Sequence, residues 1–151
     1  MMVFRRFVIA LVLTACAALA GLNAGCATGV RWRYDFAAAY EQSKASQRLT
    51  LVYFRQWFLP LCGKLEETVF GTPELREATR DVTCVRYELY SGDPLSAAWH
   101  IDAAPAFVIV DTDGIILARR EGDFTVADVQ QAISDARASR FSERQPAVGS
   151  P

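Results

Sequence analysis

The chain has 151 residues, of which 52% are hydrophobic, and a formal net charge of −1 at neutral pH. That is enough for one domain with a real core and hardly enough for two, and it is too apolar for a chain disordered throughout. The near-neutral balance lacks the basic excess of a nucleic-acid binder and argues against that class.

The apolar content begins unevenly. Residues 1–30 open Met-Met-Val-Phe-Arg-Arg, continue as an apolar run over residues 7–22 and end among small residues. A positive start, an apolar stretch and a small-residue end are the marks of an export leader. The run is shorter than the about 20 residues of a membrane span, and an uncleaved signal anchor stays open. Leu13-Thr14-Ala15-Cys16 and Asn23-Ala24-Gly25-Cys26 both resemble the lipobox of bacterial lipoproteins, whose cysteine is lipidated and becomes the new N-terminus. Cys16 has the better leading leucine. Cys26 follows the fuller apolar run and stands slightly ahead. Ordinary cleavage after Ala18-Leu19-Ala20 is the third route. The expectation is an exported protein of a bacterial periplasm or cell envelope, tethered to the membrane by a lipid or a signal anchor. Export implies an oxidising compartment, where thiols tend to pair. With the leader cysteines removed or lipidated, Cys62 and Cys84 are the thiols that remain.

Past the leader, residues 35–47 carry Phe36, Ala39 and Tyr40 at helical spacing. Residues 49–54, LTLVYF, are nearly all apolar, as befits a strand covered on both faces. From Cys62 the period turns helical, with Cys62, Leu65 and Val69 on one face, until Gly71 interrupts it. Thr72-Pro73-Glu74 restarts a helix, with threonine as N-cap, proline at the first position and an acid in the first turn. Residues 82–89 form a second strand and residues 94–99 a short helix. Ala104-Pro105 leads into a strand through Val110, Asp111-Thr112-Asp113-Gly114 makes a hairpin turn, and residues 115–118 return. Thr125, with Asp128 three residues on, caps a last helix whose inner face is Val126, Val129 and Ile133. From Ala138 the sequence loses its period and reads as a flexible tail. Strands separated by helices pair in parallel, and the tight turn makes the last pair antiparallel. The reading is an α/β domain over residues 31–137 with a mixed central sheet of about four strands and helices on both faces.

These residues resemble the thioredoxin-like superfamily over about residues 35–137. The strand LTLVYF entering an aromatic turn and a helix, the Ala104-Pro105-Ala106-Phe107 strand entry and the Asp-Thr-Asp-Gly hairpin carry the resemblance. CGKLEETVFGTPEL, from Cys62, is especially similar to members whose motif is Trp-Cys-x-x-Cys-Lys-x-Met-Glu followed by Val-Phe. Counting forward from Phe54, the family's first cysteine falls on Leu59. Counting back from Val69-Phe70, its second falls on Cys62. The motif here is thus Leu59-Pro60-Leu61-Cys62, with a degenerate Cys-x-x-Cys.

The resemblance implies a redox oxidoreductase, and position 59 argues against one. In such sites the first cysteine lies exposed at a helix N-terminus, where the dipole and free N–H groups lower its pKa and supply the nucleophile. Leucine cannot ionise. Cys62, as the shielded resolving position, is the one catalytic candidate left. Pro105 resembles the cis-proline that positions a bound peptide in the superfamily, with Ala104 before it. Trp57, Phe58, Leu59, Pro60 and Leu61 are apolar where a substrate would dock. His100 and two scattered cysteines make no metal pattern, and nothing calls for a cofactor. The aspartates of the turn read as turn formers, and the Arg31-Trp32-Arg33 and Arg119-Arg120 runs as solvated charges. The leading reading is a non-catalytic module for an extended peptide or protein, using Trp57, Phe58, Leu59, Pro60, Ala104 and Pro105. The alternative is an atypical thiol-disulfide oxidoreductase using Cys62 alone or with Cys84. A third is a scaffold with no ligand.

Overall fold

The computed structural model describes residues 28–144, so the leader cysteines Cys16 and Cys26 lie outside the described residues. In chain order the elements are β1 (Trp32–Arg33), α1 (Phe36–Ser46), β2 (Thr50–Arg55), α2 (Pro60–Thr68), α3 (Pro73–Ala78), β3 (Thr83–Glu88), α4 (Pro94–Trp99), β4 (Ala106–Val110), β5 (Ile116–Glu121) and α5 (Val126–Arg144). They build one mixed sheet in the order β1-β3-β2-β4-β5. β1, β3 and β2 run parallel, and β4 and β5 pair antiparallel.

Successive side chains of a strand point to opposite faces, so the continuous apolar run of β2 serves two cores. Leu51 and Tyr53 pack with Leu65, Phe70, Leu75, Phe107 and Phe124 under α2, α3 and α5. Val52 and Phe54 pack with Ala39, Val85, Ile101 and Val108, and with the partly buried Phe36, Leu95 and Trp99 of α1 and α4. Each such side chain, fully buried, contributes about 1.5–3 kcal/mol from removed apolar surface, which is what holds helices on both faces.

Caps and turns follow from local chemistry. Asp35 accepts from the N–H of Ala38 at 3.0 Å, and Thr72 from that of Leu75 at 3.3 Å. Thr125 and Asp128 cap reciprocally, at 2.8 and 3.3 Å. The helix ends at Thr68, and position 71 just beyond it requires glycine because a Cβ there would lie 2.5 Å from the Glu67 carbonyl oxygen. In the hairpin, Asp111 Oδ1 accepts from the N–H groups of Asp113 and Ile115 at 2.9 and 2.8 Å, and Gly114 takes φ of +82°.

Three features differ from the sequence reading. The sheet has a fifth strand, β1, so Trp32 is no solvated spacer between charges: its ring lies 5.0 Å from Phe70, edge to face. Val30 is already core, 8% exposed, and donates its N–H to the Phe70 carbonyl at 2.8 Å, so the domain starts before residue 31. α5 continues to Arg144, beyond the expected end at 137, and Arg137 donates to the Ala78 carbonyl at 2.9 Å and pairs with Asp81.

Candidate functional site

The parallel strands β3 and β2 end together at one end of the sheet, and β4 begins there, as the register Phe54 opposite Tyr87 and Ala106 shows, while β1 stops short with Arg33 opposite Val85. Around that end the chain lays out the turn 56–59. The Leu59 N–H donates to the Gln56 carbonyl at 3.1 Å, and the Leu89 N–H to the Arg55 carbonyl at 2.8 Å. The Ala104–Pro105 bond is cis. Pro105 is buried and its carbonyl accepts from Gly122 N–H at 2.9 Å, while Ala104 is half-buried beside it.

Leu59 is the N-cap of α2. Its backbone is extended, at φ −88° and ψ 117°, its side chain can cap nothing, and Pro60 takes the first helical position. The carbonyl of Leu59 accepts from Cys62 N–H at 3.0 Å, which puts Cys62 one turn inward. That turn decides its environment: Cys62 is 0% exposed, whereas its chain neighbour Leu61 is half-buried. The buried Tyr53 hydroxyl donates to the Cys62 carbonyl at 3.3 Å. Burial, and then the neighbouring Cys62, hold that phenol far above its usual range.

Cys84 lies mid-strand in β3, in register with Leu51, and is 3% exposed. Burial pushes its thiol up to about 12. Neither Cys62 nor Cys84 is in a disulfide.

Trp57 and Phe58 stand out from the turn, 76% and 57% exposed, with ring centroids 5.7 Å apart, edge to face. Pro60 is exposed and Leu59 half-buried, so the apolar side chains of this stretch divide between solvent and core. Tyr90, just past β3, is also exposed at this end.

Sequence reasoning missed the polar residues that fix the turn. Arg55 pairs with Glu66 of α2 and, at 2.8 Å, with Glu88 of β3. Glu88 also accepts from the Trp57 N–H at 2.7 Å, and Arg86 reaches Glu66 at 3.4 Å while lying 5.0 Å from the ring centre of Tyr34. An arginine closing an apolar strand was the available signal, but its partners are visible only once β2 and β3 are in register. His100 ends α4 in the left-handed region, at φ +54°, and its carbonyl accepts from Arg119 at 2.8 Å. Among the described residues, no three His, Cys, Asp or Glu side chains cluster as metal ligands.

No family model matches this chain, and no curated protein matches it. Solved structures do. A thioredoxin from Thermus thermophilus superposes with a TM-score of 0.64 at 20% identity, over 78% of this chain and 94% of its own. A putative disulphide-isomerase from Bacteroides thetaiotaomicron gives 0.61 at 17% identity, over 75% and 97%. A protein described as DsbH oxidoreductase gives 0.58 at 20% identity, over 74% and 87%. At these identities the likeness shows the fold, and the fold is thioredoxin-like.

Proposed function

We propose that this thioredoxin-fold chain is an exported, membrane-tethered binding module that takes an extended peptide or a partner protein across Trp57, Phe58, Leu59, Pro60, Ala104 and Pro105. It runs no dithiol cycle. One observation carries the reading: Leu59 sits at the N-cap of α2, and Cys62, one turn inward, is fully buried. The helix N-terminus would stabilise a thiolate at position 59, and leucine offers none. Exposed Trp57 and Phe58 support docking, because large aromatic side chains that gain from being covered are the usual anchors of interfaces. Export and tethering follow from the pattern of residues 1–30. A thiol enzyme working through Cys62, alone or with Cys84, would need a sulfur that substrate can reach, and the burial of both weighs against it.

Insulin-disulfide reduction tests the reading. The purified chain is expected to leave the rate at its uncatalysed value, with Cys62→Ser indistinguishable. Acceleration that disappears in Cys62→Ser would refute the non-catalytic reading.

A further inference from the structure

We propose that an arginine-lined basin at the other end of the sheet binds anionic phospholipid headgroups and seats the domain on a membrane. The basin lies where β1 and β3 begin and where α1 ends, and holds about 480 Å³. Arg31, Arg33, Arg48, Arg76 and Arg80 line it, with Glu77 as the one acidic residue of the lining. Glu77 pairs with Arg80 at 3.1 Å, and Arg76 donates to the Gly29 carbonyl at 3.0 Å. Arg31, Arg33 and Arg48 are exposed, and among the described residues no carboxylate pairs with them. A chain of net charge −1 has therefore gathered like charges in one concavity, where they repel unless an anion enters. Guanidinium forks match phosphate oxygens in pairs, which fits a phosphorylated occupant.

The route of the chain points to a lipid headgroup. The Gly29 carbonyl, accepting from Arg76 of the lining, lies beside the basin. Cys26 lies five residues before Arg31, and the apolar run ending at Leu22 lies nine before it. At roughly 3.3–3.6 Å per residue, either anchor keeps the membrane within about 30 Å of the basin. β2, six residues long, separates this end from Trp57 and Phe58 by about 20 Å, so a seated domain presents the aromatic turn away from the lipid. The inference shares the tether with the proposed function and none of the peptide surface.

The full chain is floated with phosphatidylcholine vesicles, and with vesicles in which a third of the lipid is phosphatidylglycerol, at low and raised salt. Each arginine near an anionic surface strengthens binding about fivefold, so the anionic vesicles are expected to win by about tenfold or more at low salt, with the excess fading as salt rises. The double variant Arg33→Gln/Arg48→Gln, at exposed positions, is expected to lose most of that excess, and Trp57→Ala to keep it. The residues before the basin are the same in every protein compared, so the difference between parent and double variant reads the basin alone. An equal excess in the double variant would overturn the proposal. So would an excess abolished by millimolar inorganic phosphate, which would make the basin a site for a small free anion.

Discussion

At Cys62 and Cys84 the fold removes access to sulfur, and at Cys84 it also removes the thiolate. Both thiols are expected to label slowly in the native protein and quickly once denaturant is added. Fast native labelling of Cys62, measured with a chromogenic disulfide, would contradict its full burial. Cys84 carries a second prediction. Its folded value, about 12, exceeds the about 8.5 of an unfolded cysteine, so the folded state keeps a proton that the unfolded chain releases. The stability linked to Cys84 is thus full below about pH 8.5 and falls as pH rises toward 12, by up to about 1.4 kcal/mol per unit. Tyr53 acts in the same direction at still higher pH. Urea midpoints followed from neutral to alkaline pH should fall less steeply in Cys84→Ala than in the parent. The spacing from Leu59 to Cys62 was legible in sequence, because helical period and flanking anchors fixed the register from both sides. The pairing state of the two cysteines was not legible, since it depends on which elements pack between them.

Among the elements, the grip of β2 and β3 on the turn is the best place to compare buried and exposed charge. Arg55 and Glu66 are 17% and 22% exposed in their side chains, whereas Lys64 and Asp123 are 57% and 58% exposed. Removing Arg55 leaves the Glu66 carboxylate partly buried without its nearest cation. Arg55→Ala is expected to cost about 1–3 kcal/mol and to loosen the turn that Glu88 ties down. Lys64→Ala, which opens a solvent-screened pair, is expected to cost about 0.5 kcal/mol or less. Urea denaturation of the two variants decides it, and equal losses would show that burial does not separate the pairs. Most elements were readable because periods of 2 and 3.6 run for several residues and caps mark their ends. β1 escaped because two residues carry no period, and Trp32 between arginines looks polar until its partner β3 is known. α5 outran its predicted end because its last turns rest on helix propensity and on Arg137 reaching back to α3, neither of which shows as an apolar stripe.

For the whole molecule, the informative fact is where the exposed aromatics fall. Trp57, Phe58 and Tyr90 all lie past the ends of β2 and β3, at the end of the sheet where β4 begins. Sequence could name Trp57 and Phe58 as apolar but could not tell outside from inside, because their exposure depends on the order of strands across the sheet. Since they pack on each other and not on the core, Trp57→Ala/Phe58→Ala is expected to keep the urea midpoint within about 0.5 kcal/mol of the parent. The same variant should lose capture of a specific partner by about tenfold or more in a pull-down titration. A large loss of stability would mean that the pair belongs to the core. The Tyr53 hydroxyl has a consequence for how such a turn can change over generations. It fastens α2 to the central strand through a main-chain oxygen, a grip indifferent to which side chains occupy positions 59 and 62. A substitution at position 59 or 62 therefore leaves that main-chain mooring in place, so the chemistry of the turn can change while its backbone does not.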